Sequence, residues 1–169
     1  AYAESTNTSI KFVATNTRQM FTRLGVSPKE QYPIDQRLTI QSAILEELRS
    51  QWKDNKNAVF DRTPLDVLAY MEADVLRDFP SDSKIVDQYM TYRKQCLDAI
   101  NLFDAIVLVQ PGIPIIEDPL AAPGSLPYME HFNSLCLAYM HAEVQPRGVT
   151  NIVLDRDNIN LEERIDAVK

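Results

Sequence analysis

Apolar and polar positions alternate along the chain in two different patterns. Short, nearly unbroken apolar runs are typical of buried strands, and they predict strands over 10–15, 57–61, 104–110 and 150–155. In longer segments apolar residues return every three or four positions, which predicts helices over 33–55, 64–78, 83–102, about 126–142 and 160–169. Strands that alternate with helices predict one α/β domain over 1–169, with a parallel sheet and no internal repeat or linker.

The apolar stripes of the predicted helices identify a candidate core. Its members are Ile34, Leu38, Leu45, Leu48, Trp52, Leu65, Leu68, Ala69, Val75, Leu76, Val86, Tyr89, Met90, Leu97 and Ile100. Tyr128 and Phe132 stand at helical spacing, which favours packing over stacking on a base. The segment 104–109 is an unbroken apolar run, so we expect it to be among the most buried parts of the sheet.

Composition narrows the class of protein. With 45% hydrophobic and 24% charged residues, the chain is typical of a folded domain rather than a disordered or membrane protein. It contains no 18-residue apolar run and no signal-peptide pattern, so we expect a cytoplasmic protein without a membrane partner. The net charge of −7 argues against a broadly basic nucleic-acid surface, but not against a local basic cleft.

The cysteines and histidines give little sign of chemistry. Cys96 and Cys136 lie in helix-like apolar settings, so we expect two buried thiols in a reducing compartment. Neither has a partner at the spacing that zinc sites use. His131 and His141 are isolated in the sequence, which favours exposed helix residues over members of a catalytic triad.

The stretch NAVFDRTPLDVLAY, residues 57–70, joins a predicted strand directly to a predicted helix. Thr63 suits the N-cap, Pro64 the first helical position, and Asp66 the third, where an acid favours the helix dipole. These three residues thus have a structural explanation. Asp61 and Arg62 do not, and they occupy the strand-to-helix turn, where α/β proteins place ligands.

Four stretches carry a resemblance to a known family: VFDRTPLDVLAY, FVATNTRQMFTRLG, AIVLVQPGIPIIEDPLAAPGS and NIVLDRDNINLEERIDAV. Together they resemble the P-loop kinases, in the nucleoside and nucleotide kinase-like branch with thymidylate kinases, ribosylnicotinamide kinases and phage-encoded ATP-dependent kinases. The resemblance spans nearly the whole chain. It implies a three-layer fold, in which helices cover both faces of a parallel sheet.

One departure from the family pattern is large. The phosphate-binding motif G-x-x-x-x-G-K-[ST] is absent from the 169 residues. We expect the sequence to begin just after this loop, so that the central strand of the family's sheet is missing. That would leave a gap between the strands that end at Asp61 and at Val109. The alternative is a degenerate relative that never bound ATP.

The resemblance implies roles for residues near the first two strands. Asp61 would be catalytic, as acceptor of the proton from the attacking hydroxyl or as ligand to a water on Mg²⁺. Substrate contacts would fall to Arg18, Arg62, Thr15 and Asn16. The structural alternatives are a turn carboxylate at Asp61, an Arg62 ion pair with Asp66, and a solvated helix position for Arg18.

The remaining candidates follow the third and fourth strands. Segment 111–127, which is rich in proline and glycine, resembles the family's lid and is predicted to be a mobile cover over a cleft. Within it, Glu117 and Asp118 would contact substrate hydroxyls. Arg156 and Asn158, which follow the last strand, would contact the adenine of the cofactor.

These assignments imply an ATP-dependent kinase that uses ATP and Mg²⁺. Its acceptor would be a nucleoside, a nucleotide or a related group, including a hydroxymethylated pyrimidine in phage DNA, an option that the net charge of −7 disfavours. The alternative is a non-catalytic, ATPase-like nucleotide-binding or regulatory domain.

Overall fold

A computed structural model describes residues 10–15, 17–27, 30–73, 80–112, 125–157 and 159–168. Four strands occur in this part of the chain: β1 (Lys11–Val13), β2 (Ala58–Phe60), β3 (Ala105–Val109) and β4 (Thr150–Leu154). Six α-helices occur with them: α1 (Thr17–Leu24), α2 (Ile34–Asp54), α3 (Pro64–Ala73), α4 (Ser83–Ala99), α5 (Leu126–Tyr139) and α6 (Leu161–Val168). Every strand and helix predicted from the periodicity is present, and the ends that the structure describes differ by a few residues. The predicted end of the helix over 64–78, with Val75 and Leu76 of the predicted core, lies outside the described residues.

One helix was not predicted. Helix α1 occupies the stretch that the sequence suggested was a loop after the first strand. It is short and mostly polar, and Met20 is its only buried residue in the described structure. Its eight residues span little more than two turns, which is too short a window for a helical period to be recognised from the sequence.

The strands pair in parallel, as predicted, but in two separate sheets. β1 pairs with β2, with Phe12 opposite Val59, and β3 pairs with β4, with Val107 opposite Ile152. Among the described residues no pairing joins these two sheets. The single sheet of a three-layer fold is thus not formed by the described residues.

The prediction that β3 is among the most buried segments is wrong. Only Ile106 is buried in this strand, and Val109 is 50% exposed. A strand in the interior of a parallel sheet has neighbours at both edges and helices over both faces. Within the described structure β3 has one neighbouring strand, so it is less buried than its apolar sequence predicts.

Helices form most of the core. α2, α3 and α4, with the 3₁₀ turn that follows α4, contribute many of its buried side chains: Leu38, Leu45, Leu48, Trp52, Leu65, Leu68, Met71, Tyr92, Cys96 and Ile100. Each large apolar side chain that leaves water in this way stabilises the fold by about 1.5–3 kcal/mol. The buried Tyr92 hydroxyl donates to the Val67 carbonyl at 2.8 Å, which joins α4 to α3.

The predicted inner face of α4 needs one correction. Leu97 and Ile100 are buried as expected, but Met90 is 53% exposed. The buried stripe instead runs through Tyr92 and Cys96, four residues apart on the helix.

Within the described part of the chain, no helix has the length and apolar character needed to cross a membrane.

Candidate functional site

The loops that follow β1 and β2 meet at the carboxyl edge of their sheet. The backbone N–H of Thr15 donates to Asp61 Oδ1 at 2.6 Å. Asp61 is exposed, and it follows β2 directly. Since parallel strands end at the same edge, the register of β1 on β2 brings these two predicted site residues together. The Thr15 Oγ1 atom is shielded from solvent and has no hydrogen-bond partner among the described residues.

The turn after Asp61 holds the predicted helix cap. Asp66 Oδ2 accepts hydrogen bonds from both the backbone N–H and the hydroxyl of Thr63, each at 2.8 Å. This satisfies an N–H at the start of α3, as a capping acid at the third position should. Arg62 Nη1 lies 3.4 Å from Asp66 Oδ1. Arg62 therefore makes the ion pair that the structural alternative described.

Arg62 also lies over the ring of Tyr70, which in turn contacts helix α5. Its guanidinium carbon is 5.5 Å from the centre of the Tyr70 ring, within cation–π range. Burial lowers the pKa of Arg62, but Tyr70 and Asp66 outweigh that effect and raise the pKa overall. The Tyr70 ring centre lies 4.6 Å from that of Phe132 on α5. Phe132 therefore packs as predicted, and these contacts connect the end of β2 to α5.

A cleft of about 340 Å³ opens where β3 ends against α5. Its lining consists of Leu108, Val109, Gln110, Pro111, Gly112, Met129, Phe132, Asn133 and Arg164. Most of these side chains are apolar, and a few polar groups converge among them. Ligand sites in proteins typically combine these features, in volumes of about 300–1,000 Å³.

Asn133 is the polar residue that sequence reasoning missed. It is only 4% exposed, and its Nδ2 lies 3.4 Å from Gln110 Oε1. Its Oδ1 is buried and has no hydrogen-bond partner among the described residues. The sequence held only a weak signal for it, because Asn133 stands three residues before Cys136 on α5, and a polar residue in an apolar stripe is unusual.

At the rim of the cleft, the loop after β3 and the loop after β4 approach each other closely. A Cβ atom on Gly112 would lie 2.8 Å from the carbonyl carbon of Arg156, and nearer still to its oxygen. The Arg156 side chain makes two hydrogen bonds of 3.1 Å to Glu130 on α5. The hydrogen bonds and charge of Glu130 raise the pKa of Arg156. Arg156, predicted to contact adenine, is here engaged with Glu130.

The other predicted site residues divide into two groups. Arg18 is exposed in the first turn of α1, where its backbone carbonyl accepts a hydrogen bond from Thr22. Four residues lie outside the described part of the chain, together with most of the lid-like segment 111–127: Asn16, Glu117, Asp118 and Asn158.

The cysteines and histidines are placed as predicted. Cys96 and Cys136 are buried free thiols, and burial raises the pKa of each to about 12. Thiols with such a high pKa are poor nucleophiles and poor metal ligands at neutral pH. His131 and His141 are both exposed.

The described residues provide two adjoining sites with different chemistry. One is the exposed carboxylate of Asp61 beside Thr15, suited to accept a proton. The other is the mostly apolar cleft with the buried amide of Asn133. In the described ranges no group of three or more His, Cys, Asp or Glu side chains could hold a metal ion.

No family model, curated protein or solved structure matches this chain.

Proposed function

We propose that the protein is an ATP-dependent kinase that transfers a phosphoryl group to a nucleoside, a nucleotide or a related acceptor. The observation that carries the proposal is the Thr15–Asp61 contact, which joins two strand-end loops at the carboxyl edge of a parallel sheet. Ligands of open α/β folds bind at this edge. The four stretches that resemble P-loop kinases point in the same direction.

Asp61 is the residue assigned to the chemistry. Its carboxylate is exposed, and the Thr15 N–H fixes one of its oxygens. A carboxylate held in this way can accept the proton of an acceptor hydroxyl as that oxygen attacks. The Thr15 hydroxyl is shielded from solvent, so the contribution of Thr15 to the proposal is the backbone N–H that holds Asp61.

Arg62 contributes positive charge beside the proposed acceptor site. Its pairing with Asp66 and its position over Tyr70 hold the guanidinium in place. A fixed cation favours the approach of a phosphate-bearing acceptor, although its ion pair with Asp66 offsets part of the charge. Arg62 is therefore proposed to position the acceptor electrostatically, with Asp61 as the only catalytic residue.

The fit to ATP and Mg²⁺ is partial. The described residues contain no cluster that could hold a metal ion, and the 169 residues lack the motif that binds the phosphates of ATP. The described residues therefore provide no recognisable site for the phosphates of ATP or for Mg²⁺. The proposal assigns this chain's side chains to the acceptor alone.

A second function is favoured by a specific observation. Arg62 is engaged with Asp66 and Tyr70, and Arg156 with Glu130, so two predicted binding residues have structural partners. A nucleotide-binding or regulatory domain without catalytic activity would retain such contacts. The two functions differ in turnover, because only the kinase consumes ATP in proportion to the acceptor that is phosphorylated.

A phosphotransfer screen tests the proposal. Labelled ATP is incubated with the natural full-length gene product and with nucleosides, nucleotides, ribosylnicotinamide and DNA that contains hydroxymethyluracil. We expect label to move to one acceptor class, and we expect Asp61→Asn to reduce that transfer. Asp104→Asn is the matched control, since Asp104 is an exposed carboxylate just before β3, at the amino end of a strand in the other sheet. Binding of ATP without transfer to any acceptor would favour the regulatory domain.

A further inference from the structure

Helix α6 has an apolar stripe that the described residues leave largely uncovered. Leu161 and Ile165, one turn apart on this helix, are 70% and 40% exposed. Side chains four positions apart lie on the same face of a helix, so the two residues form one stripe. In a helix that packs on its own domain, such a stripe normally faces the core. The stripe of α6 is therefore available to contact another molecule.

The stripe lies beside the cleft at the end of β3. Arg164, the residue before Ile165, lines that cleft together with Val109, which is 50% exposed. Leu126, which is 64% exposed, begins α5, and Met129 one turn later also lines the cleft. We call the following residues the cleft-mouth surface: Val109, Leu126, Leu161 and Ile165. A single exposed apolar residue is ordinary, but a group of them beside a cleft is typical of an interaction site.

The chain around this surface is acidic. The stretch 155–166 contains five exposed carboxylates: Asp155, Asp157, Glu162, Glu163 and Asp166. It contains two arginines, so its net charge is −3. One of the two, Arg156, is already paired with Glu130. An apolar surface with an acidic border therefore faces solvent at this end of the described structure.

The charge decides which kind of molecule suits the surface. Nucleic acids and anionic lipid surfaces are negative, so the carboxylates would repel them. A second copy of the chain would bring the same carboxylates opposite one another, because a two-fold contact pairs a surface with itself. A protein helix with apolar residues on one face and lysine or arginine beside them complements both the apolar surface and the acidic border.

We propose that the cleft-mouth surface binds a basic amphipathic helix of a partner protein. The apolar side chains of that helix pack on Leu161 and Ile165, and one of them enters the cleft of about 340 Å³ beside Val109. Its basic side chains lie against the carboxylates of 155–166. The inference goes beyond the proposed function and does not depend on it, because Asp61 follows a strand of the other sheet.

Two labelled peptides test the inference by fluorescence anisotropy with the natural full-length gene product. One peptide is an amphipathic helix of leucine and lysine, and the other has glutamate in place of each lysine. We expect the lysine peptide to bind at least about tenfold more tightly, with an affinity that falls as salt rises. Equal binding of the two peptides, or no binding of the lysine peptide at millimolar protein concentration, would overturn the proposal.

A double variant locates the binding on α6. Leu161→Gln with Ile165→Gln removes the apolar stripe but keeps a good helix former at one position and a tolerated one at the other. The affinity for the lysine peptide should fall about tenfold. Met90→Gln is the control, because Met90 is an apolar helix residue that is 53% exposed on α4. Equal affinities for the double variant and the control would show that the peptide binds only to the overall negative charge, and would reject the proposal.

Single variants cover the case in which the double variant does not fold. Leu161→Gln alone changes the most exposed residue of the stripe, and the affinity should fall severalfold. Glu162→Gln should weaken binding and reduce its salt dependence, whereas Asp104→Asn, at the other end of β3, should change neither. A folded Leu161→Gln protein with wild-type affinity would contradict the proposal.

Two further measurements test the other occupants of this surface. Sedimentation velocity of the protein alone should show no dimer that Leu161→Gln dissociates; such a dimer would identify a second copy as the occupant. Vesicles that contain phosphatidylserine should not bind the protein, because the carboxylates of 155–166 repel them. Vesicle binding that Leu161→Gln abolishes would identify a lipid surface instead. Either result would overturn the proposal.

Discussion

The close approach of Gly112 to Arg156 gives a stability prediction of defined size. In Gly112→Ala the new Cβ would lie 2.8 Å from the carbonyl carbon and 3.1 Å from the Cα of Arg156. Carbon atoms in ordinary contact lie about 3.5–4.0 Å apart, so one of the two backbones must move. Neither moves easily, because Gln110 N–H donates to the Leu154 carbonyl and Arg156 is paired with Glu130.

The expected cost follows from this rigidity. Overpacking of a fixed site costs about 1–3 kcal/mol, and a clash with backbone belongs at the upper end. Gly112→Ala should therefore lower the free energy of unfolding by about 3 kcal/mol, or the melting temperature by about 6–12 °C for a chain of this length. Urea denaturation measures this free energy, and the slope of the free energy against urea concentration should be the same for the variant and the wild type.

Gly148 provides the matched control, because its substitution has a different cost. No atom lies within 4 Å of a Cβ at Gly148, but its φ of +71° is in the left-handed region. Gly148→Ala should cost about 1–2 kcal/mol, and Gly148→Asn less, since Asn tolerates this conformation. Gly112→Asn should be no better than Gly112→Ala. A Gly112→Ala protein within 0.5 kcal/mol of the wild type would refute the close approach.

Two further predictions concern stability. Asp66→Ala removes the hydrogen bonds to Thr63 at the start of α3, and urea denaturation should show a loss of about 1–2 kcal/mol; an unchanged midpoint would contradict the cap. Cys96 and Cys136 have folded pKa values of about 12 against 9.0 for an ordinary thiol. Between these values the unfolded state loses protons that the folded state retains, so stability should fall as pH rises above about 9, by up to about 1.4 kcal/mol per pH unit for each thiol. Unfolding at pH 8, 9 and 10 should show a smaller decline when both cysteines are replaced by alanine, and an identical decline would contradict the prediction.

Local features of the fold follow well from the sequence. The four strands and five of the six described α-helices have periodic or unbroken apolar patterns, and these patterns depend only on near neighbours in the chain. The cap at Thr63 and Asp66 is local in the same sense. The parallel pairing of β1 with β2 also followed, because strands that alternate with helices leave little other choice.

Features that depend on distant residues did not follow. An apolar run predicts that β3 suits burial, but its exposure depends on which segments cover it, and the described residues cover only part. Met90 is apolar and exposed because the face of α4 is set by Tyr92 and Cys96 packing on other helices. Asn133 became a candidate only when its burial and the cleft around it were visible.

The most direct test of the central claim is the steady-state rate of phosphoryl transfer from labelled ATP by the full-length protein and by Asp61→Asn. Asparagine keeps an oxygen that can accept the Thr15 N–H, so the variant should fold and melt like the wild type. It loses the negative charge and the basicity, so kcat should fall by roughly 10²–10⁴, the span expected for a positioned proton acceptor, with a smaller change in KM for the acceptor. A folded Asp61→Asn protein with near-normal kcat would contradict the account.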